Sequence, residues 1–336
     1  MIPSALRNVL VQLVPARMPF LLVGPPGVGK TEIVEEVADA LEYRCILTHP
    51  VVDDPVDYKG MPAVVQSESG ARAEFLPFGE LSRMVNATEP TLVFMDDLGQ
   101  APPAVQAAIM QLVLARRING HAISDNVTFA AATNRREDKA AVTGLITPLL
   151  DRFATVLSVE FDLDDWIAWG LDHGMPVELL AFARFKHQEI GKFQMSKDMK
   201  KSPTPRSFAG LGRLVNMGLV DPEVVTGAIG DLGAEFLSFY RLWTLIPDRN
   251  EIYLNPDTVS VPNEPSVLYA LMGSLSHVAN AGNFDATMRY LARIPADYSV
   301  GCVKDAVARD KSLVKTRAFL QWARDNAHVF SYDRAA

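Results

Sequence analysis

Cysteine is nearly absent from this chain: Cys45 and Cys302 are the two in 336 residues. That excludes a disulfide framework and any centre built from cysteine ligands. The six histidines, at positions 49, 121, 173, 187, 277 and 328, are scattered, and no two stand at a helical ligand spacing, so they supply no metal site. No apolar run reaches the roughly 18 residues of a membrane-spanning helix, and the N-terminus lacks a basic segment followed by an apolar core; a cytoplasmic protein without a membrane partner is expected. Positive charge is the scarcer sign, with 32 Lys and Arg against 40 Asp and Glu and a formal net charge of -8, which argues against a general nucleic-acid surface. No repeat or low-complexity tract is visible, and no Ser-His-Asp order or activated cysteine suggests covalent catalysis.

What remains is ordinary globular composition, 49% hydrophobic and 21% charged, in a chain long enough for two or three domains. One stretch organises it. Gly24-Pro25-Pro26-Gly27-Val28-Gly29-Lys30-Thr31 fits the pattern G-x-x-x-x-G-K-[ST] at every fixed position. The apolar run Phe20-Leu21-Leu22-Val23 enters it as a buried strand, and Ile33, Val34, Val37, Ala38 and Leu41 follow at helical spacing. Glycines let a polyphosphate approach the backbone, whose N–H groups then cradle it at a helix N-terminus. Lys30 can supply a point charge to the β- and γ-phosphates, and the Thr31 hydroxyl is placed to bind Mg²⁺.

The strand expected at Tyr43-Arg44-Cys45-Ile46-Leu47-Thr48 makes a βαβ unit and hence a parallel sheet. Residues 51–60, broken by Pro55 and Gly60, read as a loop. Residues 63–66 and 73–76 flank a polar tip at 67–72 and predict a small hairpin; a helix at 79–86 follows. Thr91-Leu92-Val93-Phe94-Met95 ends in Asp96-Asp97, a carboxylate pair at the end of a buried strand, where ligands of parallel sheets sit. Then come a helix at 102–114, a second hairpin turning at Asn119-Gly120, and a buried strand at 127–132 that ends in Thr133-Asn134. Leu149 to Phe153 closes a short helix, and a last strand spans 155–159. Residues 4–14 predict an amphipathic helix with Ser4 as its cap.

From residue 162 the pattern is helical, with helices at 166–173 and 176–187, a lysine-rich loop at 191–204, and a helix restarting with Thr204 as cap and Pro205 at its first position. Residues 247–265 read as a linker to further helices at 266–279, 285–291 and 311–328, the last carrying an apolar stripe of Phe319, Leu320 and Trp322.

With these residues in place the chain resembles a AAA+ ATPase, and within that class the MoxR family, over about its first 210 residues. The resemblance rests on the phosphate loop, Asp96-Asp97, Asn134, Leu150-Asp151-Arg152-Phe153 and Thr204-Pro205-Arg206, in the family's order. It implies an α/β fold, with a parallel-sheet P-loop core over residues 1–160 and a helical lid over 161–246; past residue 247 it implies nothing, and the helical pattern alone predicts a further C-terminal helical segment over 247–336. It also implies roles: ATP and Mg²⁺ as cofactors, Asp96 in the Mg²⁺ shell, Asp97 for the water, Asn134 as sensor 1, Arg152 as arginine finger and Arg206 as sensor 2. The two hairpins match the family's helix-2 insert and pre-sensor-1 hairpin. The family usually has Asp-Glu where this chain has Asp96-Asp97, one methylene shorter at the presumed base. Arg116, Arg117, Arg135 and Arg136 read as surface arginines.

The leading expectation is a ring, hexameric by resemblance, that hydrolyses ATP to remodel, activate or load a protein partner, of which a von Willebrand factor A domain protein is the family's usual example. Two other readings stay open: a nucleic-acid motor or loader, and a nucleotide-gated assembly module with weak hydrolysis.

Overall fold

The computed structural model describes residues 1–67, 70–138, 144–192, 200–243 and 246–326. They fall into two compact units, the first over residues 1–162 and the second from residue 163 onward.

The first unit is built on five parallel strands. Its elements are α1 (Pro3–Leu13), β1 (Phe20–Val23), α2 (Lys30–Ala40), β2 (Arg44–Thr48), α3 (Pro55–Lys59), β3 (Met61–Ser67), β4 (Gly70–Leu76), α4 (Gly79–Val85), β5 (Thr91–Met95), α5 (Pro103–Ala115), β6 (Arg117–Ile118), β7 (His121–Ala122), β8 (Val127–Thr133), α6 (Thr147–Leu150) and β9 (Thr155–Ser158). The sheet order is β2-β5-β8-β1-β9, with all neighbours parallel. Parallel strands covered on both faces should be buried along their length, as the inner strands β5, β8 and β1 are, whereas the edge strands β2 and β9 are only partly buried. Alternate residues serve opposite cores: Phe20, Leu22, Phe94 and Ala130 pack with α1 and α2 on one face, whereas Leu21, Val93, Met95 and Ala131 pack with α5 on the other. This order sets β5, β8 and β1 side by side, so their carboxyl ends, carrying Asp96, Asn134 and Gly24, meet at one edge of the sheet. Gly24 is confined there, since a Cβ would come within 2.8 Å of the Val159 carbonyl oxygen.

The second unit is helical: α7 (Leu163–Asp172), α8 (Val177–Phe185), α9 (Pro205–Asn216), α10 (Pro222–Ile229), α11 (Gly233–Leu242), α12 (Arg249–Leu254), α13 (Pro265–Val278), α14 (Phe284–Leu291), α15 (Ala296–Arg309) and α16 (Arg317–Asp325). Phe182 is its aromatic hub, meeting Phe236 edge-on at 5.3 Å and stacking on Phe208 at 6.2 Å. Around α13, Leu271 and Leu275 pack with Ile252, Tyr290 and Val303. Among the described residues no helix is long and apolar enough to cross a membrane.

Several sequence expectations change. Ser4 does not cap α1, because Pro3 occupies the first turn and Ile2 is the capping residue. Residues 51–60 are not all loop: Asp54 and Asp57 form a capping box over Pro55 and start α3. The tip expected at 67–72 is shorter, because β4 begins at Gly70 and Arg72 pairs with Val65; residues 68 and 69 lie outside the described residues. Residues 247–265 contain α12, and Ile252 and Val259 are buried, so the stretch packs into the core. Helix α15 was not expected. Phe319 and Trp322 pack on the core of their own unit, while Leu320 is 52% exposed. Residues 193–199 of the lysine-rich loop lie outside the described residues, as does His328.

An ion cluster, half-buried at Arg184 and Asp305 and exposed at Asp164, ties three helices of the second unit. Arg184 of α8 donates from Nε to Asp305 of α15 at 2.7 Å, from Nη2 to the other oxygen of the same carboxylate, and from Nη1 to Asp164 of α7 at 2.9 Å. Burial holds the Asp305 carboxyl above its ordinary range despite Arg184, so the guanidinium is what keeps a charge there tolerable. Replacing Arg184 by Met should therefore destabilise the unit by about 3 kcal/mol or more, read as a lower urea midpoint; a change below about 1 kcal/mol would show that the cluster is dispensable.

In the first unit, partial burial, with Glu35 and Asp39 nearby, pushes the Cys45 thiol up to about 11. At pH 8 it is protonated and a poor nucleophile, so native protein should alkylate at Cys45 roughly a hundredfold more slowly than unfolded protein and speed up as pH rises. Mass spectrometry of partly alkylated protein tests this, and equal rates in the two states would contradict it.

Candidate nucleotide-binding site

The loop from Gly24 to Gly29 is shaped by backbone no other residue adopts cheaply. Gly27 and Gly29 have φ of 75° and 103°, and Gly29 caps α2 from the left-handed region. The first N–H groups of α2 have no partners within the helix and point, with its dipole, at the space above the loop.

Lys30 opens α2 and is only 6% exposed. Its ammonium donates to the carbonyls of Gly24 and Pro25, at 3.0 and 3.1 Å, and to Asn134 Oδ1 at 2.8 Å. Asn134, at the end of β8, donates from Nδ2 to Asp97 Oδ1 at 2.9 Å. The Asp97 N–H donates to Asp96 Oδ1 at 2.9 Å, and Asp96 Oδ2 accepts from Thr31 Oγ1 at 2.7 Å. The chain of bonds therefore closes from the loop through both carboxylates back to the residue after Lys30. Four of the expected site residues, Thr31, Asp96, Asp97 and Asn134, are brought together with Lys30.

Asp97 sits in the left-handed region, with φ of 52°. Asp adopts that conformation more readily than most residues, and strain of this kind concentrates where a side chain must be aimed. The turn it makes directs the shorter carboxylate at Asn134.

The donor set suits a hard divalent cation, since a hydroxyl and a carboxylate oxygen from Thr31 and Asp96 already meet. The surroundings are electronegative: partial burial, then Glu32, Asp39 and Asp96, holds the Glu35 carboxyl above its usual range. Thr31 and Asp96 fit a Mg²⁺ partnership.

Arg152 follows α6 and bonds the Pro148 carbonyl of its own helix, while its Nε is enclosed without a hydrogen-bond partner. That bond runs within its own helix and not to the Lys30-to-Thr31 chain. Arg206 lies exposed in the first turn of α9 in the helical unit, and Thr204 caps that helix by accepting from the Ser207 N–H. Of the arginines read as surface residues, Arg117 is exposed, but Arg116 is half-buried and donates to the Ser124 and Val127 carbonyls at 2.7 and 2.9 Å; it pins the second hairpin to β8. Arg135 pairs with Asp138, and the Arg136 side chain lies outside the described residues.

Sequence reading missed a buried tyrosine beside the site. Tyr58 of α3, 2% exposed, donates its hydroxyl to Asp53 at 2.6 Å, with Thr48 Oγ1 at 3.3 Å; the Thr48 carbonyl accepts from the Asp96 N–H at 3.0 Å. Burial and Asp53 raise the phenol well above its ordinary range, so it stays a donor. Its signal was an aromatic inside a polar, proline-broken stretch.

A five-stranded parallel sheet, a glycine loop that closes on a lysine after β1, and paired carboxylates at the end of β5, with β8 between the two strands, define a P-loop ATPase core of the AAA+ type. Residues 20–161 match the family described as ATPase family associated with various cellular activities (AAA), and this stretch is a AAA family domain. No curated protein matches the chain. Among solved structures, the chain is similar to the RuvB Holliday junction branch migration motor of Thermotoga maritima, at 19% identity and a TM-score of 0.41, covering 81% of this chain and 80% of that one. A point mutant of the same protein gives 18%, 0.42, 80% and 79%. NtrX of Brucella abortus gives 14%, 0.40, 81% and 67%. Likeness at this level says nothing of what the chain acts on.

Lys30→Ala should abolish ATP binding, and Thr31→Val should retain weak binding while losing the gain that Mg²⁺ confers. Titration of a fluorescent ATP analogue with and without Mg²⁺ measures both; wild-type affinity in Lys30→Ala would remove the loop from the site.

Proposed function

We propose that the protein is a MoxR-like AAA+ ATPase that binds ATP with Mg²⁺, hydrolyses it in a ring, and uses the cycle to remodel, activate or load a protein partner. The observation that carries the ATPase reading is the hydrogen-bonded chain Lys30–Asn134–Asp97–Asp96–Thr31 at the carboxyl ends of three adjacent strands.

In this reading the loop N–H groups and Lys30 bind the phosphates, and Asn134 holds the Asp97 carboxylate in place. Asp97 accepts the proton of the attacking water. Thr31 and Asp96 hold Mg²⁺, which supplies neutralisation of phosphate charge when bound. Arg152, with its planar fork, serves a neighbouring subunit's γ-phosphate, as the MoxR resemblance implies. Arg206 senses nucleotide from the lid.

A protein partner is supported by the first hairpin. Directly paired residues share a face, so Pro62 with Phe75 and Val64 with Ala73 form one apolar face of β3 and β4. It is exposed, Val64 by 73% and Phe75 by 40%, as a surface that meets another polypeptide would be. The MoxR resemblance makes a von Willebrand factor A domain protein the first partner to test, and a hexamer the expected ring.

Asp97→Asn should keep ATP binding and lower steady-state phosphate release about a hundredfold or more. Asp97→Glu should retain turnover. Undiminished release in Asp97→Asn would remove Asp97 from the mechanism, and wild-type turnover with stimulation by DNA rather than protein would replace the partner class.

A further inference from the structure

One buried polar side chain lies where the sequence pattern calls for an apolar one. Gln106 is on α5 among Val105, Ala108, Ile109 and Leu112, and is 1% exposed. A buried amide is costly unless its hydrogen-bonding groups are used, so its partners define its role. Its Nε2 donates to the Ala101 carbonyl at 3.0 Å and to the Gly144 carbonyl at 3.1 Å, and its Oε1 accepts from the Ile146 N–H at 3.0 Å.

These three partners belong to two functional segments. Ala101 ends the turn that begins at Asp97, and Gly144 and Ile146 lead directly into α6 and Arg152. The segments also meet without Gln106, through the Gly144 N–H on the Gly99 carbonyl at 3.1 Å. Past Ile146 there is little slack: α6 is four residues long, its Leu149 is fully buried, and the Arg152 N–H bonds the Leu149 carbonyl at 3.1 Å. Whatever fixes Gly144 and Ile146 therefore fixes where Arg152 emerges.

We infer that Gln106 is a positioning residue for Arg152: its amide clamps the 144–146 segment to the turn after Asp97, so that the arginine offered to a neighbouring subunit is registered against the carboxylate end of its own. This rests on the reading of Arg152 as an arginine acting in trans. A glutamine suits the task because one planar amide can donate twice and accept once, which neither an apolar residue nor a carboxylate of the same size can do. Small displacements of a charge-stabilising group cost rate steeply, so loosening this clamp weakens catalysis at the neighbour's site without touching its nucleotide.

The experiment mixes two kinds of full-length subunit. Acceptors carry Arg152→Ala and keep an intact nucleotide site; donors carry Lys30→Ala and keep their arginine. Phosphate release recovered on mixing arises where a donor arginine faces an acceptor site. Adding Gln106→Leu, or Gln106→Glu, which keeps the size and the acceptor while losing both donors, to the donor should cut the recovered rate by about tenfold or more. The same change in the acceptor should leave the recovered rate within about twofold and the acceptor's KM for ATP unchanged. Two variants guard against one that fails to fold, and circular dichroism melts identify it. Equal recovery with altered and unaltered donors overturns the inference and leaves the trans reading standing. Equal losses in donor and acceptor reduce Gln106 to a structural residue and overturn it as well. No recovery even with unaltered Gln106 overturns the trans reading first, and this inference with it.

Discussion

Everything at the carboxyl edge of the sheet depends on a lysine ammonium that is nearly buried. A charge in that position needs oxygens around it, and Lys30 finds them in its own loop, at Gly24 and Pro25, and in Asn134, 104 residues further along the chain. This makes the loop a folded cap over its own cation. Phosphate oxygens are stronger acceptors than carbonyls for an ammonium, so nucleotide competes directly with the bonds that shape the loop. Asn134 is the joint between that competition and the carboxylates, because one amide reaches Lys30 with its oxygen and Asp97 with its nitrogen.

Strand order explains why five residues far apart in sequence converge. With β8 between β5 and β1, the strand carrying Asn134 ends beside the strand that feeds the phosphate loop and the strand carrying Asp96 ends one place further on. The apolar cores on both faces of the sheet hold these ends rigidly, and the exceptional backbone of Asp97 converts a strand end into an aimed carboxylate. Tyr58, packed in the same core as α5, bonds Thr48 beside this edge, while Gln106 of α5 ties Ala101 to Gly144.

Much of this was legible in the sequence because the relevant signals are local. The loop from Gly24 to Thr31 is contiguous, and the apolar runs ending in Asp96-Asp97 and Thr133-Asn134 each announce a buried strand with polar residues at its carboxyl end. Tyr58 was not legible, since its partner Asp53 lies in a stretch whose Pro55 and Gly60 look like loop punctuation; Pro55 instead opens a helix. Arg116 resembles any surface arginine until the carbonyls of Ser124 and of Val127, the first residue of β8, are set against it. The same limit hid α12, which carries too few apolar residues to show a period and is held by Ile252 and the half-buried Tyr253 against a core built from distant helices.

Whether the Lys30-centred chain is an ATP site is tested most directly by a structure determined with Mg²⁺ and a slowly hydrolysed ATP analogue. Lys30 should leave the Gly24 and Pro25 carbonyls for the β- and γ-phosphates, and the metal should join Thr31 and Asp96. A nucleotide bound elsewhere, or phosphates in the loop with Lys30 still on both carbonyls, would contradict that assignment.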